Sequence, residues 1–259
     1  MLLAVDIGNT NITLGVWNGR IWEHQWRLHT NQQLTADEYG ITLTTLLSQH
    51  GLQDSLDAVI IASVVPVLSD TFDQLSRHSL NLVPQHVTAE TDLGLEILTD
   101  APAAVGADRL VNAIAAYRLF SGPAIVIDMG TATKFDVVSA NGDFLGGVIA
   151  PGLGLAAETL TRRAAKLSSV PLEAPPQTIG RNTSEAMQAG LIFGYAALIE
   201  GIVQRILAEH PDQGQVIHIL GTGGLIDLIT PHTNIIEYVD PWLTLTGLRV
   251  IYERLSGKR

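Results

Sequence analysis

Two short stretches carry residues whose types and spacing could do chemistry: Asp6-Ile7-Gly8-Asn9-Thr10-Asn11 and Asp128-Met129-Gly130-Thr131-Ala132-Thr133. In each, an apolar run of β-strand length ends in Asp-x-Gly, and small residues with hydroxyl or amide side chains follow the glycine. A glycine behind a strand-end acid lets backbone N–H groups approach a ligand without a Cβ in the way, and Thr and Asn side chains add donors. That combination makes a phosphate cradle. The acids themselves could hold a hydrated divalent cation, which takes oxygen ligands, so Asp6 and Asp128 are the candidate metal residues. Two such turns facing each other across a cleft would hold the phosphates of a nucleotide. A β-turn with a capping aspartate is the competing reading of either motif alone.

The elements that position these turns repeat as well. After each turn a second strand leaves and ends in an Asn-Gly hairpin, Asn18-Gly19 in the first copy and Asn141-Gly142 in the second. From acid to hairpin Asn is 12 residues in one copy and 13 in the other. Strand, acid, glycine, hydroxyl cluster and hairpin in the same order twice indicate an internal duplication, with domains at 1–115 and 116–259. The first copy reads as a meander, Leu2–Val5, Ile12–Trp17 and Ile21–Leu28, then a helix capped by Thr35-Ala36-Asp37-Glu38 and running toward Gln49. A buried strand over Asp57–Ala62 leads into a helix opened by Pro66, and a strand near Leu82–Val87 follows. Gly106-Ala107-Asp108-Arg109 then opens a helix ending near Phe120.

The second meander ends in Gly146-Gly147-Val148-Ile149-Ala150-Pro151-Gly152, and Leu155–Leu167 reads as a helix. Prolines make Val170–Thr178 a loop, and Asn182 with Glu185 caps a long helix toward His210. Its small residues Ala186, Gly190, Gly194 and Gly201 fall near one face, for tight packing within the domain or for contact with a second copy. A strand over Val216–Leu220 runs into Gly221-Thr222-Gly223-Gly224, which reads either as a third ligand contact with room for a purine or ribose or as a plain glycine turn. That run departs from the dinucleotide fingerprint and lacks the lysine of a P-loop. Ile235–Val239 and Trp242–Leu255 are the last strand and helix.

Composition narrows the function classes. A chain of 259 residues with 46% hydrophobic content can bury a sizeable core. A net charge of −11 argues against nucleic acid or an anionic membrane as partner, since such surfaces are bound by basic faces. With no cysteine there is neither a thiolate metal site nor a cysteine nucleophile, and the eight histidines show no ligand spacing. The apolar run Met1 to Val5 is broken by Asp6, too short for a signal peptide or a membrane span, so a cytoplasmic protein is expected.

The duplicated meanders, the two Asp-Gly-hydroxyl turns and the late Gly-Thr-Gly-Gly resemble the superfamily of acetate and sugar kinases, Hsp70 and actin, over essentially the whole chain. The resemblance implies an α/β fold of two duplicated ribonuclease H-like domains, mixed sheets flanked by helices. Within that superfamily the chain is similar to the type III pantothenate kinases. The marks are Asp6 to Thr10, Thr35 to Glu38, Ala62-Ser63-Val64-Val65-Pro66, Gly106 to Arg109, Asp128 to Thr133 and Gly146 to Gly152.

What this implies is ATP-dependent phosphorylation of pantothenate to 4′-phosphopantothenate, the first step of coenzyme A biosynthesis, with Mg²⁺. Asp108 would be the general base and Arg109 would bind the substrate or the transferred phosphoryl group. The nucleotide would lie on Asp6, Gly8, Asn9, Thr10, Asn11, Thr131, Ala132, Thr133, Gly221 and Gly223. Pantothenate would meet Gly106, Ala107, Asp108, Arg109, Gly147 and Thr183 in a pocket completed by a second subunit, hence a homodimer. Without the resemblance, Asp108 reads as a helix cap beside an exposed arginine, and Thr183 as a cap hydroxyl. Two departures stand out: Thr99 replaces a usual tyrosine, and Lys134 replaces a threonine in Asp-x-Gly-Thr-Ala-Thr-Thr-x-Asp. The family implies a monovalent cation, K⁺ or NH₄⁺, near Asp128, and the Lys134 ammonium is a candidate to replace it. The rival functions are a nucleotide-binding regulatory or accessory protein whose kinase chemistry has lapsed, and a superfamily kinase for another small alcohol.

Overall fold

The computed structural model describes residues 1–163 and 168–257, so the expected helical stretch 164–167 lies outside the described residues. Contacts divide the chain into two compact units. One comprises Met1–Leu95, Asp100–Ala115 and the chain from Thr244 onward; the other comprises Glu96–Thr99 and Ala116–Leu243.

The first unit is built on β1 (Leu2–Ile7), β2 (Asn11–Trp17), β3 (Trp22–His29), β4 (Ala58–Ser63) and β5 (Gln85–Val87), in sheet order β3-β2-β1-β4-β5. The meander is antiparallel, and β4 and β5 join parallel to β1 and to each other. Alternate residues of the strands share a face. Leu3, Val5, Ile7, Ile12, Leu14, Val16, Val59 and Ile61 therefore form one apolar layer. Helices α1 (Ala36–Gln49) and α2 (Pro66–Ser79) close that layer with Tyr39, Leu43, Leu47, Leu68, Phe72 and Leu75. The start of α1 is a capping box, the Glu38 N–H donating to Thr35 Oγ1 at 3.3 Å and the Thr35 N–H to the Glu38 carboxylate at 2.8 Å.

The second unit repeats the wiring with β6 (Ala124–Met129), β7 (Ala132–Val138), β8 (Phe144–Pro151), β9 (His218–Thr222) and β10 (Tyr238–Val239), in the order β8-β7-β6-β9-β10. The sequence showed three duplicated strands; the structure duplicates five. In β1 and β6 the burial pattern is identical, four buried residues, a half-buried aspartate and one more buried residue. Segment Glu96–Thr99 lies along β8, with the Phe144 N–H donating to the Glu96 carbonyl and the Leu98 N–H to the Phe144 carbonyl, each at 2.8 Å. Helices α4 (Leu153–Arg163) and α5 (Thr183–Glu209) belong to this unit.

Asn182 caps α5, accepting the Glu185 N–H at 2.9 Å. Of the helix's small residues, Ala186 packs against Gly180, whereas a Cβ added at Gly190, Gly194 or Gly201 would meet nothing within 4 Å among the described residues. By length and composition α5 is the one helix among the described residues that could cross a membrane, and a third of its most apolar window is buried. Its buried side chains, Leu191, Ile192, Tyr195, Ile199 and Val203 among them, pack into the core of the unit.

Helix α3 (Ala107–Phe120) leads from one unit into the other, and α6 (Leu243–Leu255) closes the chain. The expected second domain ran to 259, but from Thr244 the chain groups with the first unit. The reason is close helix packing: a Cβ added at Gly247 would stand 2.1 Å from the Val111 carbonyl oxygen. The Thr244 hydroxyl also donates to Asn112 Oδ1 at 2.9 Å, and Leu245 abuts Gly15 of β2. Gly247→Ala should therefore destabilise the protein by about 1–3 kcal/mol, typical of overpacking. A thermal melt should show Tm falling by several degrees, and an unchanged Tm would contradict this packing.

Candidate active site

In the first unit Asp6 sits one residue before the end of β1, half-buried between buried Val5 and Ile7, with Thr13 and Ala62 as cross-strand neighbours. The turn that follows closes tightly, the Gly8 N–H donating to the Asn11 carbonyl at 3.0 Å. Asn9 and Thr10 stand exposed at its tip, and Asn11 enters β2. Thr30, which sequence reasoning missed, pins the turn from outside. Its hydroxyl donates to the Gly8 carbonyl at 2.6 Å and its N–H to the Thr10 carbonyl at 2.9 Å. Only its place just beyond β3 could have suggested the role.

The start of α3 comes to the same strand end. The Val64 N–H donates to the Ile7 carbonyl at 3.0 Å, and the Val64 side chain lies 3.5 Å from the place a Gly106 Cβ would take. Asp108 folds back over Gly106, its Oδ1 accepting the Arg109 N–H at 2.9 Å. A Cβ at Gly106 would stand 2.7 Å from that oxygen, so the glycine is what permits the carboxylate's position. Asp108 and Arg109 are both half-buried, neither sealed from a substrate nor fully solvated.

In the second unit the Gly130 N–H donates to the Ala132 carbonyl at 3.1 Å, and Thr131 is exposed at the tip of the turn. Two glycines wall in the backbone of this turn. A Cβ on Gly152 would lie 2.2 Å from the Thr131 carbonyl oxygen, and one on Gly223, at φ +94°, would lie 2.6 Å from Met129. Gly221 and Gly223 were expected to leave space for a nucleotide. At Gly221, buried inside β9, a Cβ would meet Ile226 and Ile236, so neighbouring side chains press on that glycine.

Asp128 is half-buried like Asp6, and its cross-strand neighbour in β7 is Lys134. The Lys134 Nζ lies 2.7 Å from Asp128 Oδ2. Thr133, expected on the phosphates, turns to the opposite face with Phe135. It is fully buried, and its Oγ1 has no hydrogen-bond partner among the described residues. The period of two along a strand makes this unavoidable once Lys134 faces Asp128. Gly147 is exposed on β8, and Thr183 is exposed in the first turn of α5, where Asn182 serves as the cap. Thr99 stands beside Gly146, its hydroxyl buried and without a hydrogen-bond partner among the described residues.

No group of three or more His, Cys, Asp or Glu side chains suited to a metal occurs among the described residues. Mg²⁺ needs none, since it commonly binds through one or two carboxylates, substrate phosphates and water. Asp6, a half-buried strand-end carboxylate beside a turn of hydroxyl and amide side chains, fits that chemistry. Asp128, expected as a second ligand, already has one oxygen held by an ammonium group.

Two mixed five-stranded sheets of identical order, each with an acid and a tight glycine turn at the end of its first strand, define the class of the acetate and sugar kinases, Hsp70 and actin. A solved Campylobacter jejuni chain described as a candidate Baf family transcriptional activator shares this fold at TM-score 0.60 and 20% identity, covering 98% of this chain and 99% of its own. Component A of the Acidaminococcus fermentans (R)-2-hydroxyglutaryl-CoA dehydratase does so at TM-score 0.57 and 13% identity, covering 100% and 99%. Within the class, residues 2–205 match the family model of type III pantothenate kinase, and the chain belongs to that family. The type III pantothenate kinases of Moorella thermoacetica and Pelobacter propionicus are each 46% identical over 98% of this chain and 99% of their own. That of Streptomyces coelicolor is 41% identical over 98% of both.

Because the buried Thr133 hydroxyl has no partner among the described residues, the isosteric Thr133→Val should leave kcat/KM unchanged and raise Tm slightly or leave it alone. A loss of activity beyond about tenfold would put Thr133 at the ligand.

Proposed function

We propose that this chain transfers the γ-phosphoryl group of ATP to the primary hydroxyl of pantothenate, giving 4′-phosphopantothenate and ADP at the first step of coenzyme A biosynthesis. The observation that carries this reading is the meeting of two acids' supports over Val64, the Asp6 strand end and the Gly106-Asp108 helix start. Phosphoryl transfer asks for positioning, charge neutralisation and a base for the hydroxyl proton. Asp108 is the base: its carboxylate takes the proton as the pantothenate oxygen bonds to phosphorus, while the bond from phosphorus to the ADP oxygen breaks. Arg109 gives the attacking substrate or the transferred phosphoryl group a guanidinium partner.

Asp6 would hold Mg²⁺, which when bound offsets charge on the ATP phosphates. Gly8 to Asn11 and the exposed Thr131 with Ala132 offer N–H, amide and hydroxyl donors to those phosphates. Beside Asp128, where the family resemblance implies K⁺ or NH₄⁺, the Lys134 ammonium already stands, so the enzyme works without an added monovalent cation. Thr183 and Gly147 are the pantothenate contacts of the second unit, and Thr99 alters that lining. The working form is a cytoplasmic homodimer that engages neither nucleic acid nor membrane.

Asp108→Asn should keep the fold and the affinity for both substrates while turnover falls about 10²–10⁴-fold, the usual worth of a positioned base. Pantothenate-dependent ADP release, read beside Tm and substrate binding, checks this. Turnover within a few-fold of wild type would remove Asp108 as the base.

A further inference from the structure

We infer that Lys134 is a ligand of the nucleotide polyphosphate, a cation tethered to the second acid turn, and that Asp128 serves to hold it rather than to bind metal. This rests on the kinase reading above and assigns a residue of that site. Lys134 stands directly across from Asp128 in the β6–β7 register, just beyond the turn over Gly130 and Thr131. Its Nζ is 2.7 Å from the Asp128 carboxylate, and each side chain is only 14% exposed. An ammonium in that setting is neither a solvent-swept surface charge nor a sealed one.

The charge pattern explains why the lysine stays there. Asp136, two residues further along β7, shares the Lys134 face and is fully buried. Lys134 therefore stands between two acidic positions of one sheet face. Polyphosphate brought to a turn headed by an uncompensated Asp128 would meet like charge. With Lys134 paired to it the acid is neutralised, and a compact, strongly hydrated point cation of the kind that binds phosphate stands at the turn. The two acids then differ in role. Asp6 has threonine Thr13 across from it, where Asp128 has Lys134, so the first acid is the one suited to a metal.

Calorimetric titration of the full chain with ATP, ADP, AMP and adenosine, in Mg²⁺ buffer without pantothenate, tests the inference in wild type, Lys134→Gln and Lys134→Arg. Glutamine can still donate a hydrogen bond to Asp128 but carries no charge, and the same change in an Asp128→Asn background separates the two roles: a lysine that only neutralises Asp128 loses nothing there, whereas a phosphate ligand still loses ATP and ADP affinity; Tm monitors the fold. The inference expects Lys134→Gln to lose ATP and ADP affinity on the order of ten- to a hundredfold with adenosine unchanged, and Lys134→Arg to retain most of it. Unchanged ATP and ADP affinity in a folded Lys134→Gln, or an equal loss for adenosine, overturns it. Wild-type protein that binds no adenine nucleotide would overturn the kinase reading and this inference with it.

Discussion

A carboxylate at the end of an otherwise buried strand is the constraint around which each unit is arranged. Asp6 and Asp128 occupy the same place in identical burial patterns. An acid and a phosphate oxygen about 4 Å apart repel by about 4 kcal/mol at an effective dielectric constant of 20, so neither turn can receive phosphate without a compensating cation. The two units meet that demand differently. Across from Asp6 is an uncharged threonine, and across from Asp128 is an ammonium group. A duplicated scaffold thus carries two unlike acid turns, one in each unit.

Backbone fit does the rest. The second turn is held because Gly152 and Gly223 let neighbouring chain press against residues 129–131, and the first because Thr30 ties down the Gly8 and Thr10 carbonyls. Gly106 performs the same service for Asp108, whose carboxylate occupies the volume a Cβ would need. A ligand brought to these turns would meet side chains and backbone already fixed in place, the condition under which positioning contributes to rate.

Much of this was legible in the sequence wherever the controlling interaction is local. The Thr35 and Glu38 box, the Asn182 cap and the Asn-Gly hairpins, with Gly19 at φ +100° and Gly142 at φ +92°, follow from residues within a turn of one another. The fourth and fifth strands of the repeat were not recognised as copies because Ser63-Val64-Val65-Pro66 and Gly221-Thr222-Gly223-Gly224 share no residues, only a place in the sheet. The docking of α6 on the first unit depends on Gly247 meeting Val111, a contact between distant parts of the chain that no local pattern announces. Strand alternation puts Asp128 and Lys134 on one face and sends Thr133 into the core. Lys134 itself was visible as a departure, but its direction needed the register.

The central claim is that this chain is a kinase whose acceptor is pantothenate. Its most direct test is coupled ADP release by the full chain with ATP and Mg²⁺, comparing pantothenate with glycerol, acetate and sugars, and identifying the product by mass. The account predicts one ADP per 4′-phosphopantothenate formed, with the other acceptors at background. Turnover with another alcohol and none with pantothenate, or no acceptor-dependent turnover at all, would contradict it.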